Sequence, residues 1–257
     1  MDSRGQAVRS VTRALALLRA VARGPKTLTM LANDAEVSLS TASRLLATLR
    51  TSGFVAQDGD GTYIPGPELT SIALSLDAWA GIRLMAHRAA QTLCERVNET
   101  AAFFVRAGDE RLCIASVESN RMVRRICSPG ERAPIYLGAT GKALVAFSNT
   151  EGKSLGLSPG VQSFVTTSGQ RRTLDDFSAE CAEIRRRGYA FSSRESTTES
   201  WAVAAPVYDR STLLGVLTVV VPLTRSSEDY IETLARVTVE VAKGCSTTPS
   251  DVQERAI

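Results

Sequence analysis

Between Ser38 and Arg44 the chain reads Ser-Leu-Ser-Thr-Ala-Ser-Arg, so four small hydroxyls and one guanidinium fall within seven positions. If this stretch is helical, Ser38 suits its amino-terminal cap, because a hydroxyl there can accept a backbone N–H that the helix start leaves unpaired. Ala42, Leu45, Leu46 and Leu49 then form a buried stripe that Gly53 stops, and Ser40, Thr41, Ser43, Arg44 and Thr48 share the opposite face. Small polar groups and an arginine on one helix face match what is needed to read base edges in a major groove. Arg44 could grip guanine O6 and N7 or clamp a phosphate, and spacing does not separate the two. A generic three-helix cluster with a solvated polar face has the same spacing.

A second constellation is Gly138-Ala139-Thr140-Gly141, followed by Lys142. Small residues at the start of a helix over 139–147 leave backbone N–H groups accessible to an anion such as a carboxylate. The glycines could equally serve close helix-to-sheet packing. A phosphate loop is excluded, since it needs glycine at 136 and serine or threonine at 143, where this chain has Tyr136 and Ala143.

Parts for catalysis are scarce. His87 is the one histidine, which rules against a Ser-His-Asp triad or a histidine-based metal site, and it reads as structural. No G-x-S-x-G elbow occurs, and no cysteine pairs with a histidine in a plausible motif. Cys94, Cys113, Cys127, Cys181 and Cys245 include no C-x-x-C pair and sit mostly in apolar runs, as reduced cytosolic thiols do. No metal and no cofactor is expected. The rival from another class is an α+β enzyme carrying an accessory DNA-binding-like domain, and it lacks obvious catalytic parts.

The elements that must position the first constellation precede and follow it. Val11, Ala14, Leu15, Leu18, Val21 and Ala22 form one apolar helical face, with Ser10 as its cap and Gly24-Pro25 as its end. A short second helix starts at Thr29 and turns Leu31, Ala32 and Ala35 inward, and Glu36-Val37 makes the turn into the Ser38 helix. After it, FVAQ and TYIPG flank Asp58-Gly59-Asp60-Gly61, a hairpin signal. Helix, turn, helix and hairpin together define a winged helix-turn-helix over residues 7–66. Residues 1–66 carry eight Lys and Arg against five Asp and Glu, which is the whole net charge of +3. Asp58 and Asp60 would be repelled by phosphates, so the wing reads as structural.

Leu69, Ile72, Leu76, Trp79, Ile82, Ala86, Ala90, Leu93 and Val97 continue at helical spacing, which predicts a linker helix region over 67–98 with a break near Gly81. An apolar stripe on such a helix needs a partner, and a dimer is expected; packing on the chain's own carboxy-terminal domain is the alternative. From 99 to 244 strand-like runs (AAFFVRA, RLCIASVES, YAFSSR, WAVAAPVY, LLGVLTVVVP) alternate with helices over 139–147, 174–187 and a last one through 243. That order predicts an α+β domain with an antiparallel sheet flanked by helices, and 245–257 a flexible polar tail.

Composition agrees with two soluble domains: 257 residues, 44% hydrophobic and 22% charged. The amino terminus has no apolar signal region and no stretch offers ~20 uncharged apolar residues. A soluble, cytoplasmic protein without membrane contact is expected.

In these stretches the chain resembles the IclR (isocitrate lyase regulator) family of bacterial transcription regulators. The resemblance runs through RSVTRALALLRAV, LTMLANDAEVSLSTASRLLATLRTSGFV and YIPGP, and on through SPGERAPIYLGATGKALVAF, IRRRGYAFSSRES, VAAPVYD and GVLTVVVP. It implies a ligand-responsive repressor or activator of metabolic genes, a homodimer or homotetramer on a roughly palindromic double-stranded DNA operator. It implies a carboxy-terminal GAF-like domain that binds an effector, a small organic acid or aromatic metabolite. Ser38, Ser40, Thr41, Ser43 and Arg44 are the implied DNA contacts, with Arg9, Arg13 and Arg50 toward phosphates. The implied effector site comprises Tyr136, Gly138, Ala139, Thr140, Gly141, Ser192, Ser193, Glu195, Trp201 and Ala202, with Arg194 a candidate donor to an anion. The chain departs from the family pattern at Glu36 and Glu199, where glycine is usual, and at Tyr136, where histidine is frequent. Trp201 is expected to bring a large ring beside the site.

Overall fold

The computed structural model describes residues 8–74, 77–148 and 163–247. The chain divides between Trp79 and Ala80 into two compact units.

In the first unit, helices α1 (Arg9–Ala22), α2 (Leu28–Asp34) and α3 (Leu39–Thr51) precede the antiparallel pair β1 (Val55–Gln57) and β2 (Tyr63–Pro65), then α4 (Pro67–Leu74). Leu17, Val21, Leu31, Ala42, Leu46 and Val55 close one core among them. Lys26 and Tyr63 exchange two backbone hydrogen bonds of 3.1 and 2.8 Å, fastening the α1–α2 connection to the hairpin. The result is a winged helix-turn-helix.

Three local expectations are corrected here. Val8, not Ser10, precedes α1, and Ser10 lies inside it. Thr27, not Thr29, caps α2, accepting from Met30 N, because the Lys26–Tyr63 bridge holds the chain extended just before it. The buried face of α1 is Leu17, Ala20 and Val21, while Val11 and Leu15 are exposed. Apolar residues occupy nearly every position from Ala14 to Ala22. The packing of α2 and α3 therefore turns Leu17, Ala20 and Val21 inward in place of the face that the spacing predicts.

Helix α5 (Asp77–Val97) leads into the second unit. Gly81 does not break it, since a lone glycine inside a helix costs only about 1 kcal/mol. Leu76 and the side chain of Trp79 lie outside what is described. The strands that follow are β3 (Thr100–Ala107), β4 (Glu110–Val117), β5 (Arg132–Pro134), β8 (Ala190–Ser193), β9 (Ser200–Asp209) and β10 (Thr212–Pro222). They form one antiparallel sheet in the order β5-β4-β3-β10-β9-β8. Between β5 and β8 come α6 (Gly138–Phe147), the small ribbon of β6 (Ser163–Val165) and β7 (Arg171–Thr173), and α7 (Leu174–Arg187); α8 (Glu228–Cys245) closes the unit.

Strand parity sorts the sheet into two faces. Trp201, Val203, Ala205 and Val207 of β9, with Leu217, Val219 and Val221 of β10, pack against Ala86, Ala90 and Leu93 of α5 and Leu234 and Val241 of α8. Ala204, Val216 and Val220 face the opposite way, onto Ala143 and Leu144 of α6 and Phe177, Cys181 and Ile184 of α7. The carboxy-terminal part of the α5 stripe is thus covered by the chain's own sheet.

Helix α7 is the element most completely written in local sequence. Thr173 and Asp176 form a reciprocal capping box, three arginines occupy the last turn, and Gly188 ends it at φ +85° with its N–H on Ile184 O. The tail begins later than expected: Ser246 Oγ accepts from Tyr208 N at 3.0 Å and Thr247 bridges to Asp209, while residues from 248 on lie outside the described ones. No helix among the described residues is long and apolar enough to cross a membrane.

Candidate functional site

Ser38 Oγ accepts the N–H of Thr41 at 3.3 Å and donates to Thr41 Oγ1 at 2.9 Å, so both hydroxyls serve the start of α3. Ser40 and Ser43 are exposed beside them. Arg44 is exposed as well, and its guanidinium has no partner among the described residues. Arg50 donates to Gln57 Oε1 of β1, which ties it to the wing. Arg9 and Arg13 are exposed on α1.

The turn before α3 holds Glu36 at φ +51°, a left-handed conformation that strains a non-glycine residue by about 1 kcal/mol. At the wing tip, Asp58 Oδ1 accepts from Asp60 N at 3.1 Å and Thr62 N at 2.8 Å. That carboxylate organises the turn. An acidic tip is therefore a structural device, as aspartate turns are elsewhere.

In the second unit a cavity of about 140 Å³ opens between the start of α6, the β8–β9 connection and the β4–β5 segment. Of the residues implied by sequence, it brings together Gly138, Ala139, Thr140, Ser192, Glu195, Trp201 and Ala202. Tyr136, Gly141 and Ser193 do not border it. Tyr136 stacks on Phe164 with ring centroids 4.7 Å apart, Ser193 is exposed, and Gly141 lies so close to the Ile135 carbonyl that no side chain fits. Gly141 thus serves close packing.

Two further expectations are overturned. The ring of Trp201 belongs to the other face of the sheet, where Nε1 donates to Arg225 O at 2.8 Å and the ring meets Phe191 and Tyr230. An odd-numbered β9 position cannot put its side chain beside even-numbered Ala202. Two of the N–H groups at the start of α6 are also already engaged: Gly138 N donates to Glu195 Oε2 at 3.2 Å, and Ala139 N to Ser192 Oγ at 2.7 Å.

Lys142 pairs with Glu195, and Arg194, the candidate donor to an anion, is exposed and does not border the cavity. Lys142 is 2% exposed and also bonds Glu180 at 2.7 Å, which in turn holds Arg172 at 2.9 Å. Among the cavity residues that sequence reasoning missed are two arginines, Arg111 and Arg125. Arg111 donates to Leu137 O and, at 3.1 Å, to Ser196 Oγ, and burial pushes its pKa down. Arg125 is half-buried and makes no hydrogen bond among the described residues. Arg111 carried a signal, being two positions from Cys113 in an apolar strand and so on its inward face. Arg125 sits in a basic run that looks like solvated surface.

Thiols near the site are chemically quiet. Burial pushes Cys113 up to about 12, Cys127 up to about 11 and Cys181 up to about 11. Thiolate, the reactive form, is scarce at neutral pH. Among the described residues no group of histidine, cysteine and carboxylate side chains could hold a metal.

A winged helix-turn-helix followed by an α+β domain with an antiparallel sheet and a small cavity defines a ligand-responsive DNA-binding regulator. The family models place it further: residues 10–59 match the IclR helix-turn-helix domain and residues 78–247 the bacterial transcriptional regulator IclR C-terminal domain. The chain belongs to the IclR family, whose members are transcription regulators rather than enzymes. It is 27% identical to the acetate operon repressor of Salmonella typhimurium over 92% of this chain and 88% of that one. It is 30% identical to the HTH-type transcriptional regulator Rv1719 of Mycobacterium tuberculosis over 87% of this chain and 86% of that one. Its fold matches an IclR homolog from Microbacterium hydrocarbonoxydans complexed with 4-hydroxybenzoate, with TM-score 0.72, 20% identity and 92% and 97% of the two chains covered.

Proposed function

We propose that α3 reads the operator with Arg44, Ser40 and Ser43, that Ser38 and Thr41 shape the start of that helix, and that Arg9, Arg13 and Arg50 meet phosphates. The observation that carries this reading is the Arg44 guanidinium, exposed and without a partner among the described residues, on the helix that follows the turn. A cation left in water keeps its full charge for DNA, and its contact releases counterions. The region over 7–66 is the reading domain, 67–98 the linker and 99–244 the sensing domain.

The cavity of the second unit takes the effector, a small organic acid or aromatic metabolite; the 4-hydroxybenzoate bound by the Microbacterium homolog supports that class. The protein acts in the cytoplasm as a homodimer or homotetramer on a roughly palindromic site with half-sites about 10 base pairs or multiples apart. Exposed Val8, just before α1, and Val11 and Leu15 on it support self-association. Effector shifts operator affinity by its differential affinity for two states of the protein. The test is a footprint of the purified protein on its own upstream DNA with and without candidate effectors. Protection of a two-fold site that an effector relieves or enhances supports the reading. No protection anywhere in that region overturns it.

A further inference from the structure

We infer that Leu39 is a base-reading residue, and that it recognises the 5-methyl group of a thymine in the major groove of each operator half-site. This rests on the reading of α3 as the operator-binding helix and names what one more of its side chains reads.

Leu39 is the first residue of α3, directly after the Ser38 cap, and it is 52% exposed. It is not among the residues that build or pack against the core of the first unit. Leu39, Ser43 and Ala47 follow one another at spacings of four and are all exposed, as are Ser40, Arg44 and Thr48 in the neighbouring row. A single exposed leucine is ordinary on a protein surface. Its neighbours make this one informative.

The exposed face of α3 is less polar than its residue types suggest. Thr48 Oγ1 donates to Arg44 O at 3.2 Å and Thr51 Oγ1 to Ala47 O at 3.0 Å, so the single proton of each hydroxyl is used inside the helix. Ser38 Oγ donates to Thr41 Oγ1 at 2.9 Å and lies 3.1 Å from Ser40 Oγ, so the hydroxyls of the cap serve one another. Arg50 is held by Gln57. The side chains of Ser43 and Arg44 are left, neither with a hydrogen-bond partner among the described residues. Two polar side chains, one of them a cation that phosphates also attract, read few base pairs. The apolar groups of the face must supply the rest of the discrimination.

In a major groove an aliphatic side chain has one specific target. Thymine alone presents a methyl group there, and apolar contact with it marks both the base and its strand. A recognition helix directs its amino-terminal residues at base edges, and Leu39 stands at that end. Ala47 lies about two turns further on and has a shorter reach. Leucine brings no charge and no donor, so its contact adds sequence preference without adding to the salt-dependent attraction.

The experiment selects binding sites for the full chain from random duplexes. Affinity is then measured for the selected site with deoxyuridine, which lacks the 5-methyl group, in place of each thymine in turn. Wild type, Leu39→Ala and Arg44→Ala are compared. One thymine in each half-site is expected to matter: its replacement in both halves weakens wild type about fifteenfold, or about fourfold for each methyl group taken out of apolar contact. Leu39→Ala should bind the thymine site more weakly than wild type and be insensitive to the same replacement, at unchanged melting temperature, salt slope and affinity for non-operator DNA. Full uracil sensitivity in Leu39→Ala, no sensitivity at any thymine in wild type, or equal weakening on operator and non-operator DNA in Leu39→Ala overturns the inference. A selected site that depends on Arg44 and shows none of the Leu39 effects sinks only this inference. Selection of no preferred site sinks the operator reading, and this inference with it.

Discussion

The two units handle charge in opposite ways. On the first, Arg9, Arg13 and Arg44 stand in solvent. In the second, Glu99 is 0% exposed and holds Arg225 through two hydrogen bonds of 2.6 Å with Tyr230 at 3.0 Å, and Lys142 is enclosed between Glu180 and Glu195. For Arg44 and for the charges beside the cavity, the contrast fits the two kinds of partner. DNA brings a dense array of phosphates that rewards any hydrated cation, at a strength that salt tunes. A small molecule brings one or two charges, so a site for it must be fixed and dry beforehand, and each buried charge there needs a built-in counterpart.

The comparison can be broken first where the charges are buried. Lys142→Ala leaves two carboxylates without their shared cation, and urea unfolding should show a loss of about 3 kcal/mol or more. A loss no larger than a surface substitution gives, near 0.5 kcal/mol, would mean the network is solvated after all. On the exposed side, Arg44→Ala should leave unfolding unchanged and weaken operator binding about tenfold, near 1.4 kcal/mol. Loss of preference at one base pair identifies a base contact. Uniform weakening with a salt slope smaller by about 1 identifies a phosphate contact.

Smaller effects sharpen the picture of the reading helix. Ser38→Ala removes the cap of α3 and should cost about 1 kcal/mol of stability, seen as a lower melting temperature. Glu36→Gly relieves the left-handed strain in the turn and should stabilise by up to about 1 kcal/mol. The smallest expected effect is none at all: Cys113, Cys127 and Cys181, held neutral by burial, should resist iodoacetamide in the native protein at pH 8, with mass spectrometry as the readout. Rapid modification of Cys127 would show that the cavity wall opens.

Where local chemistry sufficed, reading the residues gave the element. Helix α7 follows from its capping box and terminal glycine, the wing from Asp58 to Gly61, and α3 from Ser38 and its leucine stripe. The short strands β5, β6 and β7 escaped, because three residues carry no period and exist through their partners. The spacing from Gly138 to Gly141 points to a helix start, of which Gly138, Ala139 and Thr140 border the cavity, but the state of its N–H groups is not legible in the sequence. Glu195 is more than fifty positions away, and only the fold sets it on Gly138 N.

What the sequence by itself determined is the kind of protein: a winged helix-turn-helix with Arg44 and small hydroxyls near the start of one helix, followed by an α+β domain. These depend on spacings of three, four and two, which are local. The tertiary structure decided which way the charges and rings of the second unit point. Strand parity carried the ring of Trp201 away from the cavity, packing brought Arg111 and Arg125 to it, and Lys142 and Glu195 satisfy each other in the buried site. Those outcomes depend on contacts between residues far apart in the chain, and no period along the sequence encodes them.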